Sequence, residues 1–182
     1  MRFPILLFSA LLIAAAPAEE LLPIPASVRG ASRIAEIEIR VRPGAAQALA
    51  ALDDKARGRD GAAGLPTREM LTRTIAEQAA AWGLNDGRAL KLLVEIDGYR
   101  TPDAGGALLG KRDQLAGSVF VRDAATAQAL GHLYIEIDNA HVGLIGLALR
   151  GGGVREKLAG QFAMRTARAL SGRKKPLKPP AR

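Results

Sequence analysis

The stretch LAGSVFVRDAATAQALGHLYIEID, Leu115–Asp138, decides the fold. Leu115, Val119 and Val121 fall on one face of an extended chain, alternating with smaller or polar residues. Asp123 to Gln128 reads as a turn, and Leu130 to Asp138 returns as a strand, with Leu133, Ile135 and Ile137 opposed to His132, Tyr134, Glu136 and Asp138. A period of two on both sides of a short turn specifies an antiparallel hairpin with one buried and one wet face.

Upstream, Leu90 to Asp97 repeats the pattern with Leu90, Leu92, Val94 and Ile96 inward, while Leu93 on the opposite face implies partial cover on both sides. Earlier still, Ile37, Ile39 and Val41 alternate with Glu36, Glu38 and Arg40, and Pro43-Gly44 ends that strand. Ala45 to Ala56 is Ala/Leu-rich and can form a short helix, which Gly58 to Gly64 breaks. Pro66 opens a stronger helix, with Met70, Leu71, Thr74, Ile75, Gln78, Ala79 and Trp82 at three- and four-residue spacing and Gly83 as its stop. Trp82, at the end of that helix, reads as core.

Downstream, residues 140–153 are an apolar, Gly-rich connection. Val154 to Leu170 is an amphipathic helix carrying Leu158, Phe162, Met164, Arg165 and Leu170. The order β-α-β-β-β-α predicts a single α+β domain over residues 32–171, a small, largely antiparallel sheet with two helices on one face.

The ends carry a different message. Arg2, the apolar run from Phe3 to Ala16 and the small-x-small site Ala16-Pro17-Ala18 form a secretory signal over residues 1–18. The apolar run falls short of the roughly 20 residues that span a bilayer, so cleavage is expected rather than anchoring. No cysteine stands at the cleavage point to be acylated, so the expected location is the periplasm, not as a lipoprotein. Residues 19–31 read as a linker. Residues 172–182, with three prolines and five bases, read as a disordered tail.

Composition removes several classes of function. With 0 cysteines there is no disulfide, thiolate nucleophile or cysteine metal site. The net charge of +8 comes from 26 Lys+Arg against 18 Asp+Glu. Aromatic residues make up only 4%, too few for a base-stacking platform, and an exported chain does not meet nucleic acid. Anionic lipid, lipopolysaccharide or an acidic protein surface is the fitting counter-charge.

Between about Leu90 and Leu170 a strand ends in Ile-Asp-Gly-Tyr-Arg, and a Gly-rich loop follows. A hairpin then turns through Asp123-Ala124-Ala125-Thr126, and Gly-Gly-Gly leads into the last helix. This succession resembles small bacterial envelope proteins classed as domains of unknown function, often lipoproteins, with a fold like that of accessory subunits of envelope transport systems. The chain departs from that pattern at Ala127, where such turns commonly hold Gly, and in lacking the lipidated cysteine. The resemblance carries over no catalytic residue.

Each motif with a chemical reading also has a plainer one. Gly105-x4-Gly110-Lys111 has the frame of a phosphate-binding loop, but Arg112 stands where Ser or Thr must hold magnesium, and a strand follows instead of a helix. His132, Tyr134, Glu136 and Asp138, with His141 beyond, have metal-ligand spacing, yet strand alternation alone explains them. None of Ser27, Ser32, Ser118 and Ser171 sits at a strand-to-helix elbow. Asp53 and Asp54, adjacent on a helix, diverge. Gly151-Gly152-Gly153 is more simply a flexible helix start than an anion cradle.

Two candidate interaction features survive. One is the apolar stretch Val142, Leu144, Ile145, Leu147 and Leu149. The other is the basic set Lys111 and Arg112 with Arg173, Lys174, Lys175 and Lys178. The expected function is a non-catalytic periplasmic accessory or binding module of an envelope assembly, with no cofactor or metal and with envelope proteins as partners. The alternatives are an electrostatic tether to anionic lipid or lipopolysaccharide, and a periplasmic enzyme.

Overall fold

A computed structural model describes residues 22–102, 106, 111–139 and 153–177. Four strands, β1 (Ser32–Val41), β2 (Arg88–Arg100), β3 (Asp113–Asp123) and β4 (Ala129–Asn139), form one mixed sheet in the order β1-β2-β3-β4. β1 runs parallel to β2, and the other two pairings are antiparallel. The parallel pair is possible because its connection is long, carrying α1 (Pro43–Ala56), a short 3-10 turn at Gly61–Gly64 and α2 (Thr67–Ala81). The last helix, α3 (Val154–Ser171), lies against α2 and against β3 and β4.

This is the expected α+β domain, with a third helix where the sequence suggested only a short one: α1 packs on β2. The core lies between the helices and one sheet face. Leu90, Leu92, Val94 and Ile96 of β2 and Leu115, Val119 and Val121 of β3 meet Leu71, Ile75, Leu158, Phe162 and Leu170, all fully buried. Trp82 is buried among them. β2 outruns its expected end because Tyr99 is itself core: buried, its phenol donates to the carbonyl of Arg155 at 2.5 Å. Burial pushes that phenol's pKa up.

The helix layer is tied together by one buried cation. Arg155, 5% exposed, donates from Nη2 to the carbonyls of Ala63 and Leu65 at 2.9 and 2.8 Å, and its Nη1 lies 3.4 Å from Asp53. Asp53 Oδ1 in turn accepts from the backbone N–H and hydroxyl of Thr67. α2 thus starts at Thr67 rather than in Pro66, and a carboxylate from α1 fills the capping role. Asp54, turned outward, pairs with Arg57 on the surface.

Two terminal expectations are corrected. Within the segment read as a linker, Ile24 and Val28 are buried core residues, because residues 26–30 turn back against the end of α3. Leu22 accepts from the His132 N–H on the free edge of β4, and Gly131 admits Ile24: a Cβ there would sit 2.8 Å from its Cγ1. Within the tail read as disordered, residues 172–177 are placed, with the Leu177 N–H bonded to the Ala81 carbonyl at 2.8 Å. Among the described residues no helix is long and apolar enough to cross a membrane.

Candidate functional site

The three described helices lie on one face of the sheet, and strand register dictates what the other face presents. On β1 and β2 it is charged: Glu36 is opposite Lys91 and Arg40 opposite Glu95. Lys91 reaches Glu36 at 2.6 Å and Glu38 at 3.3 Å, Arg40 reaches Glu38 at 2.7 Å, and Arg42 holds Glu95 at 3.1 Å and Asp97 at 2.9 Å. The guanidinium of Arg40 and then the ammonium of Lys91 hold the Glu38 carboxyl below the usual range. Such exposed ladders fix side-chain positions more than they stabilise.

Toward β3 and β4 the face turns apolar. Leu93 pairs with Phe120, and Phe120 with His132. The Phe120 and His132 rings stack at 4.3 Å with an interplanar angle of 12°. Beside them Ser118 and Ala116 are buried, while Tyr134 stands 49% exposed. Burial, then the nearby Asp97 and Glu136 charges, raise the Tyr134 phenol. An aromatic centre beside a charged rim is the anatomy of a protein-binding patch.

His132 is thus not the water-facing residue that alternation suggested. It is 7% exposed and lies against Phe120. The strand pattern carried half the signal; the other half was Phe120, which the hairpin register places opposite. Among the described residues no group of three or more His, Asp or Glu is placed to hold a metal. Ser118 is mid-strand and buried, away from any helix start.

The basic candidates are scattered. Lys111 and Arg112 lie just before β3, and Arg112 bridges to Asp138 at 3.0 Å, so it closes the end of the hairpin. Arg173 and Lys174 line a cleft of about 500 Å³ at the end of α3, while Lys175 is exposed beyond it. Val142, Leu144, Ile145, Leu147, Leu149 and Lys178 lie outside the described residues. Sequence reasoning missed the other cations of that cleft, Arg29, Arg165 and Arg168, which the fold gathers from both ends of the domain.

No family model matches the chain, and no curated protein does. Solved structures do share the fold. The PelC dodecamer from Paraburkholderia phytofirmans aligns at 10% identity and a TM-score of 0.51, covering 85% of this chain and 97% of that one. A single-residue variant of the same dodecamer aligns at 12% and 0.52, with the same coverage. A Xanthomonas campestris protein described under the DUF330 family model aligns at 13% and 0.50, covering 86% and 94%. What these likenesses establish is the fold.

Proposed function

We propose that this chain is a non-catalytic accessory module of a bacterial envelope assembly, acting in the periplasm by docking the open face of its sheet, in the first instance onto further copies of itself. The observation that carries this reading is the half-exposed Tyr134 beside the buried Leu93 and His132 and the ring of Phe120, on the sheet face turned away from the three described helices. An amphipathic, half-exposed tyrosine is the kind of anchor on which interfaces concentrate their energy. The PelC proteins that share the fold are described as dodecamers, which supports self-association. The signal-like N-terminus supports export.

The test is sedimentation of the purified protein at low and high salt, beside a Tyr134→Glu variant. The expected result is a discrete oligomer that persists in high salt, because apolar burial is not screened, and that Tyr134→Glu returns to monomer with an unchanged thermal melt. A wild type that stays monomeric, and that crosslinks no protein from envelope extract, sinks the reading.

A second reading, an electrostatic tether, has its own observation in the exposed Arg173, Lys174 and Lys175. It requires that vesicle binding fall steeply with salt and with removal of residues 173–182.

A further inference from the structure

We infer that the cleft at the C-terminal end of α3 is a binding site for a phosphate group, independently of how the sheet face is used. Five cations line it: Arg29, Arg165, Arg168, Arg173 and Lys174. Among the described residues no acid does. Its remaining walls, Pro23, Ile24, Leu133 and Ala169, with Gly172, are apolar.

The convergence is built. Arg165 and Arg168 lie one turn apart on α3, on the same side of the helix. Gly172 then takes a left-handed conformation, φ +66°, which turns the chain so that Arg173 and Lys174 reach the same cleft. Arg29 arrives from the opposite end of the sequence. Its stem crosses Gly172 so closely that a Cβ there would lie 3.3 Å from the Arg29 Cβ. Arg29 Nε donates to the Ile24 carbonyl at 3.0 Å and Arg165 Nη1 to the Glu136 carbonyl at 2.6 Å. Each guanidinium is thus held by one bond while its other N–H groups remain for a ligand.

Arg33 and Arg68 also make no ion pair among the described residues, so what separates this site from ordinary surface is that five cations converge on one cleft. Arg42, Arg73 and Arg88 are each paired to a carboxylate, whereas Arg168, Arg173 and Lys174 have no ion pair among the described residues. A helix C-terminus carries only about half a negative charge, so it accounts for one of the five cations and not the rest. Two of the end carbonyls that would repel an anion are already used: Leu170 accepts from Gly30 and Arg168 from Gly172. Phosphate, with a charge of about −1.5 to −2 near neutrality, matches several guanidinium forks at once, where a lone carboxylate would leave most of them uncompensated.

Free phosphate and a lipid headgroup whose chain lies along Ile24 and Leu133 share this chemistry, and two probes separate them. The purified protein is titrated with inorganic phosphate and with dihexanoyl phosphatidic acid below its micelle concentration, following backbone amide shifts. Saturable shifts are expected around residues 165–174, about tenfold weaker in Arg168→Gln/Lys174→Gln and within about twofold of wild type in Arg33→Gln/Arg68→Gln, which removes the same charge elsewhere. Tighter binding of the acylated probe identifies a lipid headgroup, and equal binding identifies free phosphate; both support the site. Equal weakening in the two variants, or no saturation by about 20 mM of either probe, overturns it.

Discussion

At the scale of single residues, the hairpin turn holds two positions whose energetics are sharply defined. Ala127 is the described non-glycine residue with a positive φ, +59°, in the left-handed region that costs an L side chain about 1 kcal/mol. Ala127→Gly should therefore raise stability by about 1 kcal/mol, read as a higher urea midpoint at unchanged slope. Asp123, at the head of the same turn, accepts from Arg88 Nε at 2.6 Å and from the N–H groups of Ala125 and Thr126 at 2.9 Å. The Arg88 bond first, then that of Thr126, holds its pKa at about 2, below its ordinary 3.8. A folded-state pKa below the unfolded one contributes stability that is complete above about pH 4 and lost as pH falls toward 2. The melting temperature of the wild type should drop through that window while Asp123→Asn, lower at neutral pH, drops less, so the two curves converge.

At the scale of elements, what was legible in the sequence were the pieces whose burial is one-sided. β2 and the second half of β4 keep much of their side-chain period in the fold, whereas in β3 Leu115 to Val119 are all buried and the period is lost. Helix starts were less legible, because a cap can come from elsewhere in the chain. Pro66 looked like the first residue of α2, but the N–H of Thr67 is satisfied by Asp53, 14 residues earlier and on another helix. No local pattern announces such a partner. Asp53→Ala should cost about 2 kcal/mol, since it uncaps α2 and removes the carboxylate beside the buried Arg155. Its neighbour makes the control: Asp54 pairs only with the exposed Arg57, so Asp54→Ala should stay within about 0.5 kcal/mol of wild type in the same urea titration.

At the scale of the whole molecule, the sequence hid what depends on the two ends meeting. Arg173 and Lys174 were visible as charge, but only the return of residues 26–30 onto α3 makes them a cleft with Arg29, Arg165 and Arg168. Pro23, Pro25 and Ser27 made that segment look like a linker, and two isolated apolar residues carry no period. In the fold Ile24 is 3% and Val28 1% exposed, both part of the single core. If the segment closes the domain, Ile24→Ala with Val28→Ala should cost about 4 kcal/mol, lowering the melting temperature by roughly 10 °C. A chain begun at Ser32 should fare worse, because it also bares the β4 edge that Leu22 covers at His132. A true linker would predict the opposite, with both variants melting beside the wild type. Thermal unfolding of the three proteins decides between these, and an unshifted double variant would remove the structural basis for placing Arg29 in the cleft.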